Sequence, residues 1–217
     1  MTTFTEGRHA GEFLLSEAPG GLSRDNAVIA VSQTIKPGTV LAQIAVVADV
    51  EASGAAVAGN TGNATIAMAD PAVSTKVKDG VYRGVCLSAT TVRWEDPNGK
   101  EIGQSTHGAA FNKEIKFTIT AGGTPNVAGD AFEVTVKADA EDFQFVAFNQ
   151  DGTNGSEIAT AIALYGVTTP VDATAAISII ARQAELNGKC LEWPAEIDAA
   201  EQADAIQSLA QRTLIVR

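Results

Sequence analysis

Only one stretch of this 217-residue chain has the period of a helix. Ala199, Ala203, Ile206 and Ala210 recur at spacings of four, three and four, and Leu209 widens the same stripe. Asp198 and Glu201 form a D-x-x-E capping pair, each carboxylate placed to accept from a free backbone N–H at the helix start. Trp193-Pro194 ends the strand before it, because the residue preceding proline is pushed out of the helical region. Leu214-Ile215-Val216 then reads as a short buried strand. The closing segment is therefore expected as strand, Asn187-Gly188 turn, strand, helix, strand. A lone amphipathic helix needs an apolar surface to cover, so the remainder of the chain must supply sheet.

The rest of the chain agrees. Hydrophobic residues make up 45%, enough for a core, but aromatics only 6%, so the strands are built from Ala, Val, Thr and Gly. Phe13–Leu15, Val28–Val31 and Val40–Ile44 are short apolar runs. They are separated by Pro19-Gly20-Gly21, a polar turn Ser23-Arg24-Asp25-Asn26, and Ile35-Lys36-Pro37-Gly38-Thr39. From about Glu51 the texture changes. Ala64–Met68 is a candidate strand, and Gly80–Ser88 a second with Val81, Val85 and Leu87 as its core side. Ile115, Phe117 and Ile119 alternate with Lys116 and Thr118; Phe132, Val134 and Val136 alternate with Glu133, Thr135 and Lys137. Strict alternation means strands with one wet face, as in an antiparallel sandwich. After Ala140 the first texture returns, with strands over Phe143–Phe148, Ile158–Tyr165 and Ile177–Arg182.

Net charge is −11 and the sequence holds no local basic patch, so binding to a nucleic-acid backbone is not expected. The charge is uneven. Residues 52–139 balance to −1 and the remainder to −10, which suggests two folding units. The expected organisation is a flexible polar arm over residues 1–10, too poor in apolar groups to order itself, a discontinuous core of residues 11–51 plus 140–217, and an inserted all-β domain over residues 52–139. The fold class is mainly β (α+β), with one main helix near the C-terminal end and an antiparallel sandwich-like insert. No run of about 18 apolar residues offers a membrane span, and MTTFTEGRHAGEF lacks the pattern of a secretory signal.

No catalytic pattern is present: neither G-x-S-x-G, C-x-x-C, H-E-x-x-H nor a phosphate loop occurs. An enzyme, a metal site and a cofactor are therefore not expected. His9 falls in the arm and His107 in a loop. Asn149–Glu157 (NQDGTNGSE) offers oxygen ligands but departs from the calcium-loop pattern, and Asn, Asp and Gly serve any tight loop. Cys86 and Cys190 read as two buried thiols. Trp94 and Tyr82 are the large aromatics available to a glycan platform, and core is the simpler reading of both.

At both ends the residues carry a likeness. Phe4–His9, Gly11–Ala18 and Ser23–Asn26, with Ala184–Gly188, Trp193-Pro194 and Leu214–Arg217, resemble the opening and ending of the lambda-type phage head decoration proteins. Asn60-Thr61-Gly62-Asn63 and Gly129-Asp130 are similar to markers of a β-rich insert in longer members. The resemblance implies a homotrimer on the outer surface of an expanded icosahedral capsid, cementing it against packaged DNA. The partner is the major capsid protein, with no nucleic acid or membrane involved. It also implies that the arm makes the contact, through Thr2, Thr3, Phe4, Thr5, Glu6, Gly7 and Arg8. A surface-binding role for the insert, toward glycans or host cells, is the alternative. One residue departs from the family: Thr213 stands where glycine often follows the helix. A β-branched residue disfavours a left-handed exit by about 1–2 kcal/mol, so this helix is expected to end differently.

Overall fold

Turn residues every few positions cut this chain into short strands, and the computed structural model, which describes residues 6–217, shows what those strands build. Backbone contacts divide it into two units. One contains the described residues up to Ile44 together with Gln144–Arg217; the other is Ala45–Phe143.

In the first unit the chain forms β1 (Leu14–Glu17), a single helical turn α1 (Gly20–Ser23), β2 (Arg24–Ile29), β3 (Thr34–Ile35) and β4 (Val40–Ala45). The second unit holds β5 (Glu51–Ala56), β6 (Thr65–Val73), β7 (Gly80–Cys86), β8 (Thr91–Glu95), β9 (Glu101–Thr106), β10 (Ala110–Asn112), β11 (Ile115–Thr120) and β12 (Ala131–Lys137). The chain returns through β13 (Phe143–Ala147), β14 (Ala159–Ala163), β15 (Val167–Thr168), β16 (Ala175–Ile180) and β17 (Ala184–Leu186). Helix α2 (Ala199–Ala210) and β18 (Leu214–Val216) complete it.

Strands β13, β2, β16, β14 and β4 close into a barrel. Of the segment expected as a polar turn, Ser23 ends α1 and Arg24–Asn26 begin β2, pairing along β16 opposite Ile180, Ile179 and Ser178. The sheet partner overrides the local turn preference there. Every residue of β14, Ala-Thr-Ala-Ile-Ala, is buried. One face of this wall gathers Ala27, Ile29, Leu41, Ala161, Ile177 and Ile179. The other carries Ile162 and Ile180 against Phe13, Leu186, Leu209 and Leu214, which come from β1, β17, α2 and β18 or their flanks.

Helix α2 is capped as its sequence dictates. Asp198 accepts from the N–H groups of Ala200 and Glu201 at 2.8 Å each, and Glu201 accepts from the Asp198 N–H at 2.9 Å. Its rotation differs from the expected stripe. Ala205 and Leu209 are buried, whereas Ala199, Ala203 and Ala210 are exposed. An alanine has little surface to hide, so the one leucine decides which face turns inward. The strand expected before Trp193 reduces to a single bridge, Glu192 to Thr39, after a short 3-10 turn at Gly188–Cys190. Cys86 is buried, but Cys190 lies in that turn and is only half-buried. Of the closing strand only Leu214 is buried.

The helix exit corrects a second expectation. Thr213 does take the left-handed conformation, at φ 61, and so does Gln183, at φ 51. The two brace each other. The Gln183 N–H donates to Thr213 Oγ1 at 2.9 Å and the Ala184 N–H to Thr213 O at 3.2 Å. The hydroxyl supplies an acceptor that glycine lacks, which offsets the strain of the β-branched side chain.

The second unit is two antiparallel sheets around one core: β5-β12-β7-β8-β9 and β10-β11-β6. Ile115, Phe117, Ile119, Phe132, Val134 and Val136 all point inward, following their alternation. In β7 the expected face is inverted. Tyr82 and Cys86 are buried, while Val85 and Leu87 are exposed and Val81 half-buried. The register explains it: Tyr82 lies opposite Val134 and Gly84 opposite Phe132, so the even positions share the core face of β12. Gly84 is the key to that face, since a Cβ there would come 2.7 Å from the Trp94 indole. Trp94 is fully buried, donates to Ser105 Oγ at 2.9 Å and packs on Phe117 with ring centroids 4.6 Å apart.

Polar clasps hold the ends of this unit. At one, Asp130 accepts from the N–H groups of Thr61 (2.8 Å), Gly62 (2.9 Å) and Val127 (3.1 Å) and from the Asn126 amide (2.9 Å). Asn60 adds a two-way pair with the Ala131 backbone, at 2.7 and 2.8 Å. The two marker segments of the sequence are thus the two halves of one clasp, and its backbone donors hold the Asp130 carboxyl below the usual range. At the other, the Lys78 ammonium meets Asp96 and lies 3.6 Å from Glu114, which accepts from the Tyr82 hydroxyl at 2.7 Å. Burial pushes the Asp96 carboxyl up, but Lys78 and the N–H groups of Lys100 and Asn98 outweigh it and leave it lowered. The contrast in charge does not follow the units. Asp49, Glu51, Glu141 and Asp142 belong to the second, taking it from −1 to −5 and leaving −6 for the first.

Gly84→Ala should destabilise the second unit by about 1–3 kcal/mol through overpacking against Trp94, read as an earlier urea midpoint monitored by tryptophan fluorescence. Thr213→Val should lower the melting temperature more than Thr213→Gly, since valine keeps the left-handed strain and loses the acceptor. An equal or reversed order would mean the Oγ1 bond contributes nothing.

Candidate functional site

Of the seven residues expected to form the capsid contact, Thr2, Thr3, Phe4 and Thr5 lie outside the described residues. Glu6, Gly7 and Arg8 are exposed. Glu6 Oε1 sits 3.0 Å from His9 Nε2, a contact between exposed side chains. Arg8 is the anchored one. Its guanidinium donates to the Cys190 carbonyl, and its Nε lies 2.9 Å from Glu192 Oε2.

Glu192 is the centre of the attachment. Its other oxygen, Oε1, receives Lys36 Nζ at 2.8 Å. Lys36 and then Arg8 hold its carboxyl below the usual range against the opposing effect of burial. The backbone fixes Glu192 as firmly: its N–H donates to Gly38 O at 2.8 Å, and its carbonyl accepts from Val40 N–H at 3.2 Å. Gly38 allows this approach. At φ 83, a Cβ there would lie 2.8 Å from the Cys190 carbonyl oxygen. Beside the clasp runs a shallow groove of about 180 Å³, lined by Thr34, Lys36, Val40, Phe148, Glu192 and Trp193 among others. Trp193 stands edge-on to Phe148, with ring centroids 6.3 Å apart.

Sequence reasoning placed Arg8 in the arm but expected no partner for it within the chain, and it did not single out Lys36, Gly38 or Glu192. Lys36 and Gly38 stood in a turn of ordinary composition, and Glu192 in a segment read for its tryptophan and proline. No spacing links positions 8, 36 and 192; the barrel brings them together.

The other candidates lie elsewhere in the fold. His107 lies in a turn, edge-on to Phe132. Both its ring nitrogens are buried without a partner among the described residues, and burial lowers its pKa. In Asn149–Glu157 the side-chain oxygens of Asn149, Asn154 and Glu157 accept from loop N–H groups of Asp151, Ser156 and Gly155. Among the described residues no group of three or more His, Cys, Asp or Glu is placed to hold a metal, and no helix is long and apolar enough to cross a membrane. Trp94 and Tyr82 are both wholly inside the core, so neither presents a ring to a sugar.

No curated protein matches the sequence. Among solved structures, Xanthomonas campestris FlgL superposes with a TM-score of 0.31 at 19% identity, over 51% of this chain and 34% of that one. The flagellar hook junction protein FlgK from Burkholderia pseudomallei superposes with a TM-score of 0.31 at 22% identity, over 61% of this chain and 23% of that one. The chain thus spans about a third or less of their length, and superposition at this level defines no shared fold. The sequence model of "Bacteriophage lambda head decoration protein D" matches residues 3–214, nearly the whole chain. A mainly β chain with one principal helix, matched from end to end by that family, belongs to the bacteriophage lambda head decoration proteins, whose role is on the phage capsid.

Proposed function

We propose that this protein is a structural cement. In this reading it binds the outer surface of an expanded icosahedral head as a homotrimer, contacts the major capsid protein, and stabilises the shell against the pressure of packaged DNA. The observation that carries the reading is the family match over residues 3–214. Catalysis has no part in it.

The arm, residues 2–8, is the contact element. The Arg8–Glu192–Lys36 clasp supports this by setting where the arm leaves the folded unit. A threonine-rich backbone adds as a strand to an exposed sheet edge with little demand on its side chains, and Phe4 fills a pocket as the anchor. Ordering such a segment costs on the order of 1–2 kcal/mol per residue, so one arm binds weakly. Three arms on one trimer bind together through high effective concentration. The second unit is an insertion dispensable for this attachment. Its two connections run side by side: the Phe148 N–H donates to Val40 O at 2.9 Å in the first unit, and the Val46 N–H to Asp142 O at 2.7 Å in the second. A short Gly/Ser linker can therefore replace it.

Deleting residues 2–10 should abolish co-sedimentation with expanded capsids while leaving the melting temperature of the free protein nearly unchanged, and Phe4→Ala should weaken binding more than Thr3→Ala. Wild-type affinity in the truncated protein would place the contact on the folded body instead. Light scattering should give three times 22.4 kDa for the full chain, and trimerisation and capsid binding should survive replacement of residues 52–139. A monomeric mass at high concentration, on and off the capsid, would refute the assembly.

A further inference from the structure

The two sheets of the second unit have four edges, and three of them are protected against pairing with another chain. β10 is only three residues long. β6 contains Asp70-Pro71 and slips register against β11. β9 is offset by a register shift against β8 and carries Gly103 at φ 135. Short strands, prolines, charges and bulges are the usual devices by which a sheet blunts its edges.

β5 has no proline and no bulge, and its one charge, Glu51, stands at its first position. Its six residues, Glu-Ala-Ser-Gly-Ala-Ala, run in unbroken register against β12, the one strand it pairs with among the described residues. The Val57 N–H donates to Ala131 O at 2.9 Å, so in the alternation of an antiparallel ladder Ala55, Ser53 and Glu51 bond to β12. The N–H and C=O groups of Ala52, Gly54 and Ala56 then point away from the sheet. The strand is also held from behind, since a Cβ on Gly54 would sit 3.1 Å from Ile66 and Met68. Small side chains leave a hollow of about 360 Å³ along it, lined by Glu51, Ala52, Ser53, Thr135 and Lys137. A second hollow of about 480 Å³ shares Glu51 and Lys137 with the first. It adds Asp49, Asp79, Asp139 and Asp142, so five carboxylates stand around one ammonium at the Glu51 end of the strand.

We propose that the β5 edge is a docking site for an extended, basic segment of another protein. The segment adds as a sixth strand, bonding to Ala52, Gly54 and Ala56, with lysine or arginine side chains in the acidic hollow beside Glu51. Backbone pairing supplies affinity, and the charge at one end sets partner class and register. The site gives the inserted unit a binding role separate from attachment to the capsid.

The test uses the full-length protein and a labelled synthetic peptide of alternating Thr and Val ending in two lysines, followed by fluorescence anisotropy. Saturable binding is expected. Ala52→Pro removes an outward N–H without touching the β12 ladder, and should weaken binding by about tenfold with an unchanged melting curve. N-methylating the peptide backbone should have the same effect on wild-type protein, which keeps the test sound if the variant folds poorly. Replacing the two lysines by glutamates should abolish binding. No saturable binding, or binding indifferent to both Ala52→Pro and N-methylation, would overturn the proposal, the latter by showing charge attraction alone.

Discussion

Two-sided burial of β14 is the constraint on which the first unit depends. Ala159–Ala163 pairs with β4 on one edge and β16 on the other, and its two faces serve two separate apolar clusters. A strand buried on both sides has no polar face to give up, so four of its five residues are apolar and its one hydroxyl, on Thr160, bonds to Leu41 O at 3.2 Å. Small residues are what allow α2 to approach from one side while the barrel closes on the other. Everything beyond β14, from the rotation of α2 to the bracing of Gln183 on Thr213, follows from covering that surface.

The second unit solves the same problem with aromatic packing. Trp94, Phe111 and Phe117 fill the space between the sheets, and Gly84 provides the clearance for the largest of them. The ends are closed by polar groups with their partners supplied: Asp130 by four N–H donors, Asp96 by Lys78 and a turn. Buried carboxylates satisfied in this way define a single loop arrangement, whereas an apolar plug would tolerate several.

Glu192 supplies the link to the arm, because its carboxylate takes one cation from the chain start and one from the β3–β4 turn while its backbone is locked to Gly38 and Val40.

Local pattern was legible in the sequence. The Asp198–Glu201 cap, the core faces of β11 and β12, and the scarcity of helix all follow from spacing, because caps and alternation are properties of a few adjacent residues. The family, too, was carried by ordered motifs at the two ends. What only the tertiary structure decided were the choices between near-equal local options. Val81, Val85 and Leu87 were as good a core face as Tyr82, Gly84 and Cys86 until pairing with β12 selected the register. The alanine stripe of α2 was periodic, but Leu209 and its neighbours set the rotation. Thr213 was locally wrong for a left-handed exit until Gln183, thirty residues earlier, donated to its hydroxyl. Arg8, Lys36 and Glu192 became one site only when the barrel closed, because charge pairing between distant positions leaves no periodic trace in a chain.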